Sequence, residues 1–543
     1  MPVILTSSAN IATLQAPDAY VQILNPPSYI SGVATDVAAC VGTASWGPLN
    51  TPVLMGTPND AVRAFGRLSS AAVSGGAAGA ADMKDLITDL LLAFTQAQSS
   101  QSTLTMWGVR VSDGTDVKAT AALKDTVPVT GATATAIFSG TEGNNITVAF
   151  SQGSTATKFN VAVTSFPGGP DAEIYPNVVG GAAGVFFANL TSAINNGISG
   201  IRGPSQLIRL TAPSGTAVNP PVTGANQTIT LAAGTDGRST ATLANQIGSD
   251  VAVPKTGLYA LRNLSPKPAV AWLVGAVDNT TATAGVLASF GDSEGVITLY
   301  SNPTGITSVT ATTNKQTWAQ DTYNFIALKD HLFYFDPVNA LVRLLPPYAV
   351  AGGRLCTLSP EISPLNKQVY GIIGTERNDP SSGTQQYSAA EIGLLNANGI
   401  MFITNPIPAG NVFGVRTGVN ISSDAVKSPV EYGRMTNFLA GSYAGFIGKF
   451  VGQNQTSAKN DPLRNQVLTL FNQFHQDLVA LAKIDSYQVI CDLSNNTTSS
   501  IAKHFLFVNV KVKYLASVWY FIAQLQGGTT VVTQGSSPGQ ALQ

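Results

Sequence analysis

The chain has 543 residues, and at about 150 residues per domain that length excludes a single small binding module. Only 11% of the residues are charged, with a net charge of -1, against about 25% in an ordinary soluble chain. The balance excludes nucleic acid as the main partner, which would demand a surplus of Lys and Arg. The 44% hydrophobic content excludes disorder, and the apolar runs 86–94 and 518–525 are too short to span a membrane.

The first twenty residues show no helical period and no cluster able to form a core, so they read as an extended arm. From Tyr20 the texture turns to strands: 20–24, a turn at 25–28, a strand-like run over 33–44, then a break at Trp46-Gly47-Pro48. Between 82 and 98, Met83, Leu86, Ile87, Leu90, Leu91 and Phe94 form the stripe of an amphipathic helix. Residues 104–111 read as a buried strand. From 112 to about 247 the composition shifts to Gly, Ala, Thr, Ser and Asn, with strand-like runs at 145–150, 158–166, 205–212 and 227–234 and one helix near 187–194. This predicts a β-rich insertion.

An α/β texture resumes with the strand-like run 256–262. Apolar strands follow at 269–277 and 295–303, separated by about a dozen helical residues, the spacing of a βαβ crossover. Further on, Ser428, Pro429 and Glu431 have the order of a capping box, predicting a helix to about 450. Asp461-Pro462 starts another, with Leu463, Val467, Leu470, Phe471, Phe474, Leu478 and Leu481 on one face. Strands are expected at 487–492, 505–515 and 517–525, the last two paired, with a polar link at 495–500. The tail from 526 reads as loose.

Little catalytic chemistry is legible. Cys40, Cys356 and Cys491 are dispersed and odd in number, which predicts buried free thiols and a reducing, cytoplasmic origin. The N-terminus lacks the basic and apolar regions of a signal peptide. His331, His475 and His504 have no neighbours at metal spacing, and His475 is expected at the boundary of its helix's apolar face. Gly291-Asp292-Ser293-Glu294-Gly295 matches a nucleophile-elbow string. An elbow needs strand, turn and helix in that order, whereas here a helical run precedes the string and a strand follows, so a helix-to-strand turn is expected. Gly75–Gly79 lacks the strand and Lys-Ser/Thr pair of a phosphate loop, and Gly445–Lys449 reads as part of a helix. No catalytic, cofactor or metal residue is assigned.

The order of segments carries a resemblance. Residues 19–24 lead into Ile30-Ser31-Gly32-Val33-Ala34-Thr35-Asp36-Val37, then Val41 to Val53 with its Trp46-Gly47-Pro48 turn, then Asn59-Asp60-Ala61-Val62-Arg63-Ala64-Phe65-Gly66. Later come 256–261, Tyr334-Phe335-Asp336-Pro337, 342–347, 350–352, 395–400, Gly414-Val415-Arg416-Thr417, and Cys491-Asp492 with Asn495-Asn496-Thr497. This pattern resembles the contractile tail sheath proteins of bacteriophages.

The resemblance implies an α+β and α/β multidomain chain. Its parts are an N-terminal arm (1–20), a middle α/β domain (21–111 and 249–384), an inserted β-rich outer domain (112–248), a C-terminal α/β core domain (385–515), and a C-terminal strand and tail (516–543). It implies a non-enzymatic virion subunit, assembled in the host cytoplasm. Such subunits stack as hexameric rings around a tail tube and contract to drive it through the bacterial envelope for genome delivery. The implied partners are other copies of the chain, the tail tube protein, and baseplate and tail terminator proteins, with no membrane insertion.

Strand exchange between subunits is assigned to Val3, Ile4, Leu5, Ile11 and Leu14 and to Val518, Trp519, Tyr520, Phe521 and Ile522. Lys449, Lys459 and Arg464 are assigned to the tube-facing side, since screened, solvated charges release readily. The charge deficit fits a subunit that meets neighbours on most sides. Two other readings stay open: a secreted hydrolase or adhesin with Ser293 as nucleophile and a β-rich accessory domain, and a tail tube or capsid protein.

Overall fold

The computed structural model describes residues 3–5, 20–22, 30–68, 85–125, 129–180, 184–212, 227–379 and 383–525. At the N-terminus β1 (Val3–Leu5) pairs in parallel with β2 (Tyr20–Gln22). The arm therefore carries a short ribbon of its own. β3 (Val37–Gly42) is buried throughout; β4 (Pro52–Met55), α1 (Pro58–Phe65), α2 (Leu86–Ser100) and β5 (Thr105–Arg110) follow. Thr57 and Asp60 cap α1 reciprocally, each side chain taking the other's backbone N–H at 3.2 and 3.0 Å.

The insertion folds as a two-sheet sandwich. Its elements are β6 (Lys118–Lys124), β7 (Thr130–Ser139), β8 (Thr147–Gln152), β9 (Lys158–Thr164), β10 (Glu173–Val179), α3 (Val185–Asn196), β11 (Ile208–Thr211) and β12 (Gln227–Thr230). The sheets run β10-β9-β8-β12 and β11-β7-β6. Strand alternation supplies the core: Phe159, Val161 and Val163 of β9 point inward with Phe150, Phe186 and Phe187. Gly131 is required here, because a Cβ would lie 2.2 Å from the Phe187 ring. Arg110 ties the insertion to the body, donating to the carbonyls of Gly47 and Ser139 at 2.7 Å.

The body continues through α4 (Leu243–Ile247), β13 (Val270–Leu273), α5 (Thr281–Glu294), β14 (Ile297–Ser301), α6 (Ser308–Trp318), β15 (Phe325–Lys329), β16 (Leu332–Asp336), β17 (Leu341–Leu345) and α7 (Tyr348–Cys356). After three two-residue strands, β18 (Gly374–Thr375), β19 (Asn378–Asp379) and β20 (Gly383–Thr384), come α8 (Ala389–Ala397), β21 (Ile400–Thr404) and β22 (Gly414–Val415). The central sheet has the order β22-β21-β15-β14-β13-β3-β5-β4. Its outermost strands β4 and β22 are antiparallel to their neighbours and the six between are parallel. The expected crossover is present as β13-α5-β14.

Side chains alternate between two cores. Val270 and Trp272 face the layer of α2 and α7, while Ala271 and Leu273 face the layer of α5, α6 and α8. The run 256–262 is a 3-10 turn over Gly257–Leu261 rather than a strand, with Leu258 and Leu261 buried three residues apart. Strand β21 belongs to the central sheet, and a separate C-terminal core forms from Met435 onward, joined by Ile30.

That core comprises α9 (Val430–Ile447), α10 (Pro462–Ala480), β23 (Ser486–Ile490), α11 (Thr498–Ala502) and β24 (Asn509–Lys513). The capping box at Ser428 does not form. Pro429 is the N-cap, in extended conformation and without a side-chain cap bond, and Glu431 turns to Ser517 instead. The three cysteines are buried and free.

Candidate assembly surface

Met435, Phe438, Leu439 and Phe446 of α9 pack against Leu463, Val467, Leu470, Phe471, Phe474 and Leu478 of α10. These are the predicted face of α10, except that Leu481 lies past the last turn and is 66% exposed. His475 is a core residue rather than a boundary one. Its Nδ1–H donates to the Phe471 carbonyl at 2.6 Å and its Nε2 accepts from the Tyr443 hydroxyl at 2.6 Å, the neutral tautomer. Burial pushes its pKa below the usual histidine value, against the opposing pull of the Phe471 carbonyl.

Strands β23 and β24 pair antiparallel, from Ser486 opposite Lys513 to Ile490 opposite Asn509. Val510, Val512 and Tyr514 pack toward the helices, while Asn509, Lys511 and Lys513 are exposed. The strand is shorter than expected because Asn496 takes its place upstream. Its side-chain amide accepts the Phe507 N–H at 2.7 Å and donates to the Phe507 carbonyl at 2.9 Å. Among the described residues this sheet has two strands only, so both outer edges lack a strand partner. An isolated pair is marginal and an open edge is a template for another chain.

The expected pairing of 517–525 with 505–515 is not made. Residues 514–525 have no regular structure, and Val518, Tyr520, Phe521 and Ile522 are 76 to 89% exposed. The reason is local: the segment continues directly from β24, and residues 514–525 contain no Gly, Pro, Asn or Asp to turn it back. Trp519 is half-buried and donates to Ser517 Oγ at 3.0 Å.

The chain leading from the N-terminal arm is rooted on the same helix. Ile30 is buried in the α9–α10 core, and the Val33 N–H donates to Ser442 Oγ of α9 at 3.1 Å. Gly32 passes so close to α9 that a Cβ would meet the Phe438 ring at 2.9 Å. The chain thus touches α9 both at Ile30–Val33 and, past β24, at Ser517. Of the assigned exchange residues, Val3, Ile4 and Leu5 form β1, while Ile11 and Leu14 lie outside the described residues.

The three basic residues separate. Lys449 and Lys459 are exposed. Arg464 is buried, and its guanidinium donates to the Thr456 carbonyl at 2.7 Å and to that of Ala458. The expectation of a solvated charge there is corrected: Arg464 fastens the loop that starts α10, beside Asp461, whose carboxylate caps the helix at 2.9 Å. Replacing Arg464 with Ala is expected to cost about 2 to 3 kcal/mol, since two loop carbonyls lose a buried, charged donor; chemical denaturation checks this.

Ser293 sits in the last turn of α5 and donates to the Phe290 carbonyl at 3.1 Å. Gly295 then takes a left-handed conformation at φ 61° and β14 follows, the expected helix-to-strand turn. Among the described residues, no three His, Cys, Asp or Glu form a group suited to a metal, and no helix is long and apolar enough to cross a membrane.

No protein-family model matches the sequence, and no curated protein matches it. Solved structures do. A sheath tail protein from Listeria innocua superposes with a TM-score of 0.57 at 15% identity, over 90% of this chain and 96% of that one. Another from Desulfitobacterium hafniense gives 0.54 at 15% identity, over 87% and 93%. The chain has the tail sheath fold. The contracted helical sheath of the anti-feeding prophage is similar over 95% of this chain and 99% of its own, with a TM-score of 0.51 at 10% identity. In this tail sheath fold, the exposed C-terminal extension, the two-stranded sheet and the chain at Ile30–Val33 gather on one unit. Sequence reasoning missed one residue there: the signal at Glu431 was absorbed as a helix cap.

Proposed function

We propose that the chain is a structural subunit of a contractile tail sheath that polymerises by strand exchange. The observation that carries this is that the chain is anchored on α9 at Ile30–Val33 and again at Ser517, beside a two-stranded sheet whose outer edges have no strand partner among the described residues. In this reading the arm around Val3–Leu14 and the segment 518–525 each join a neighbour's sheet by β-augmentation. Such ladders survive rotation between subunits because the tether flexes while the backbone bonds persist. The assembly is one of stacked hexameric rings around a tail tube, meeting baseplate and terminator proteins at its ends. On triggering it shortens and drives the tube through a bacterial envelope to deliver a genome. The insertion faces outward, and the exposed Lys449 and Lys459 are the remaining candidates for the tube side.

Negative-stain microscopy of the purified protein is expected to show tubes or polysheaths, unchanged by Ser293→Ala. Monodisperse monomers with Ser293-dependent esterase activity would sink the reading in favour of a hydrolase.

A further inference from the structure

A groove of about 770 Å³ runs between α9 and the chain from Val510 to Trp519, with lining residues from β24 and none from β23. Met435, Leu439, Val510 and Val512 give it an apolar floor. Glu431 also lines it and is only 7% exposed. One carboxylate oxygen accepts from Ser517 Oγ at 2.5 Å, while the other, Oε2, is buried without a hydrogen-bond partner. A buried acceptor left unpaired carries its full desolvation cost. The two lysines that line the groove do not meet it: Lys513 pairs with Asp485 at 2.7 Å, and Lys483 lies over the Phe438 ring.

We propose that Glu431 is a specificity-determining residue of this groove, whose free oxygen accepts a hydrogen bond from the extended 518–525 segment of a second copy. The inference rests on the strand-exchange reading above. The occupant is identified by its chemistry. Residues 514–543 contain no charged side chain, so this segment brings backbone N–H donors and apolar side chains and no carboxylate to oppose Glu431. Its large side chains, from Val518 to Leu525, are 76 to 96% exposed in the free subunit apart from Trp519. Trp519 already lines the groove, so the segment starts where the groove ends. Residues 518–526 contain no Gly, Pro, Asn, Asp or Ser to turn the segment back into its own groove.

The test measures the protein concentration at which full-length chain assembles, by light scattering and sedimentation, together with subunit stability below that concentration. Glu431→Met is expected to raise the threshold about tenfold to a hundredfold, the scale of a hydrogen bond to a charged group. Subunit stability should hold or rise, because an unpaired carboxylate has been removed. Glu431→Gln keeps an acceptor and should restore most of the threshold. A Glu431→Met subunit that loses stability while its threshold is unchanged would make the residue structural and overturn the proposal. In a Phe521→Ala/Ile522→Ala background, the Glu431→Met effect should shrink, since both changes act on one contact. An undiminished effect would mean that another segment, such as the N-terminal arm, fills the groove, and the assignment would fall. Wild-type chain that never assembles would instead defeat the sheath reading itself.

Discussion

Deletion of residues 2–18 is expected to abolish polymerisation while leaving a folded, soluble subunit. Among the described residues, the four apolar cores begin at Ile30, and β1 is paired only with β2. Among the described residues, removing the arm therefore takes nothing from the packing that stabilises the body. What it removes is reach: seventeen or so residues extend at most about 60 Å, enough to cross to an adjacent subunit. β1 is paired on one side by β2; the backbone groups on its other side need external partners, and an open sheet edge supplies them. The effect should be nearly all-or-none, because each link in a lattice is repeated in every subunit. Unchanged thermal unfolding together with monomeric sedimentation would bear this out. If the truncated chain unfolds, the arm belongs to its own core; if it still forms tubes, the arm is not a linker.

Much of the fold was legible because its signals are local. The crossover from Val270 to Ser301 and the apolar face of α10 each reflect a period that burial imposes on a single element, and the apolar run Leu86–Phe94 does form a helix, though one buried on nearly every side rather than amphipathic. What failed were features decided by distant partners. Ser428, Pro429 and Glu431 have the order of a capping box, yet Ser517, 86 positions away, claims the carboxylate. His475 looked peripheral on its helix, but Tyr443 and Tyr487 come from other elements to enclose it. Arg464 looked like a surface charge until the loop carbonyls closed around it. The alternation in 517–525 was real as a pattern. It lacked an intrachain partner, and a strand without a partner is not a strand in the isolated subunit. The candidate site was therefore legible as two extensions with a single charge between them, Asp18, and its polar residue was not.

The charge deficit acquires a location from the same facts. The last charged residue is Lys513, and the 30 residues after it are the longest uncharged run in the chain; the first charged residue is Asp18. A segment that must leave water on assembly loses least if it carries no ion to desolvate. The segments of the proposed exchange meet that condition, and the body keeps its buried pairs, such as Arg343 with Asp336 at 2.8 Å.

Replacing Trp272 with Phe is expected to destabilise the body by about 3 to 5 kcal/mol, from a cavity and an orphaned acceptor together. Trp272 is fully buried in β13, in the middle of the central sheet. Its Nε1 donates to Asp89 Oδ2 of α2 at 2.8 Å, and α7 presses on the indole so closely that a Cβ on Gly352 would lie 2.6 Å from it. Burial lifts the Asp89 carboxyl well above its ordinary range, the indole bond lowers it, and Asp85 adds to the rise. The folded chain therefore keeps a proton that the unfolded chain releases above about pH 4. Stability from this site is fully present below that pH and is lost as pH rises toward the folded-state value. Asp89→Asn keeps an acceptor for the indole without needing a proton. Denaturation midpoints at pH 5 and pH 8 should then differ less in Asp89→Asn than in the parent chain, and an equal difference would show that another group sets the slope. Combining Trp272→Phe with Asp89→Leu should recover part of the loss, since removing both partners leaves no buried polar atom unpaired. A double variant no more stable than Trp272→Phe alone would assign the whole effect to the cavity and to the contact with α7.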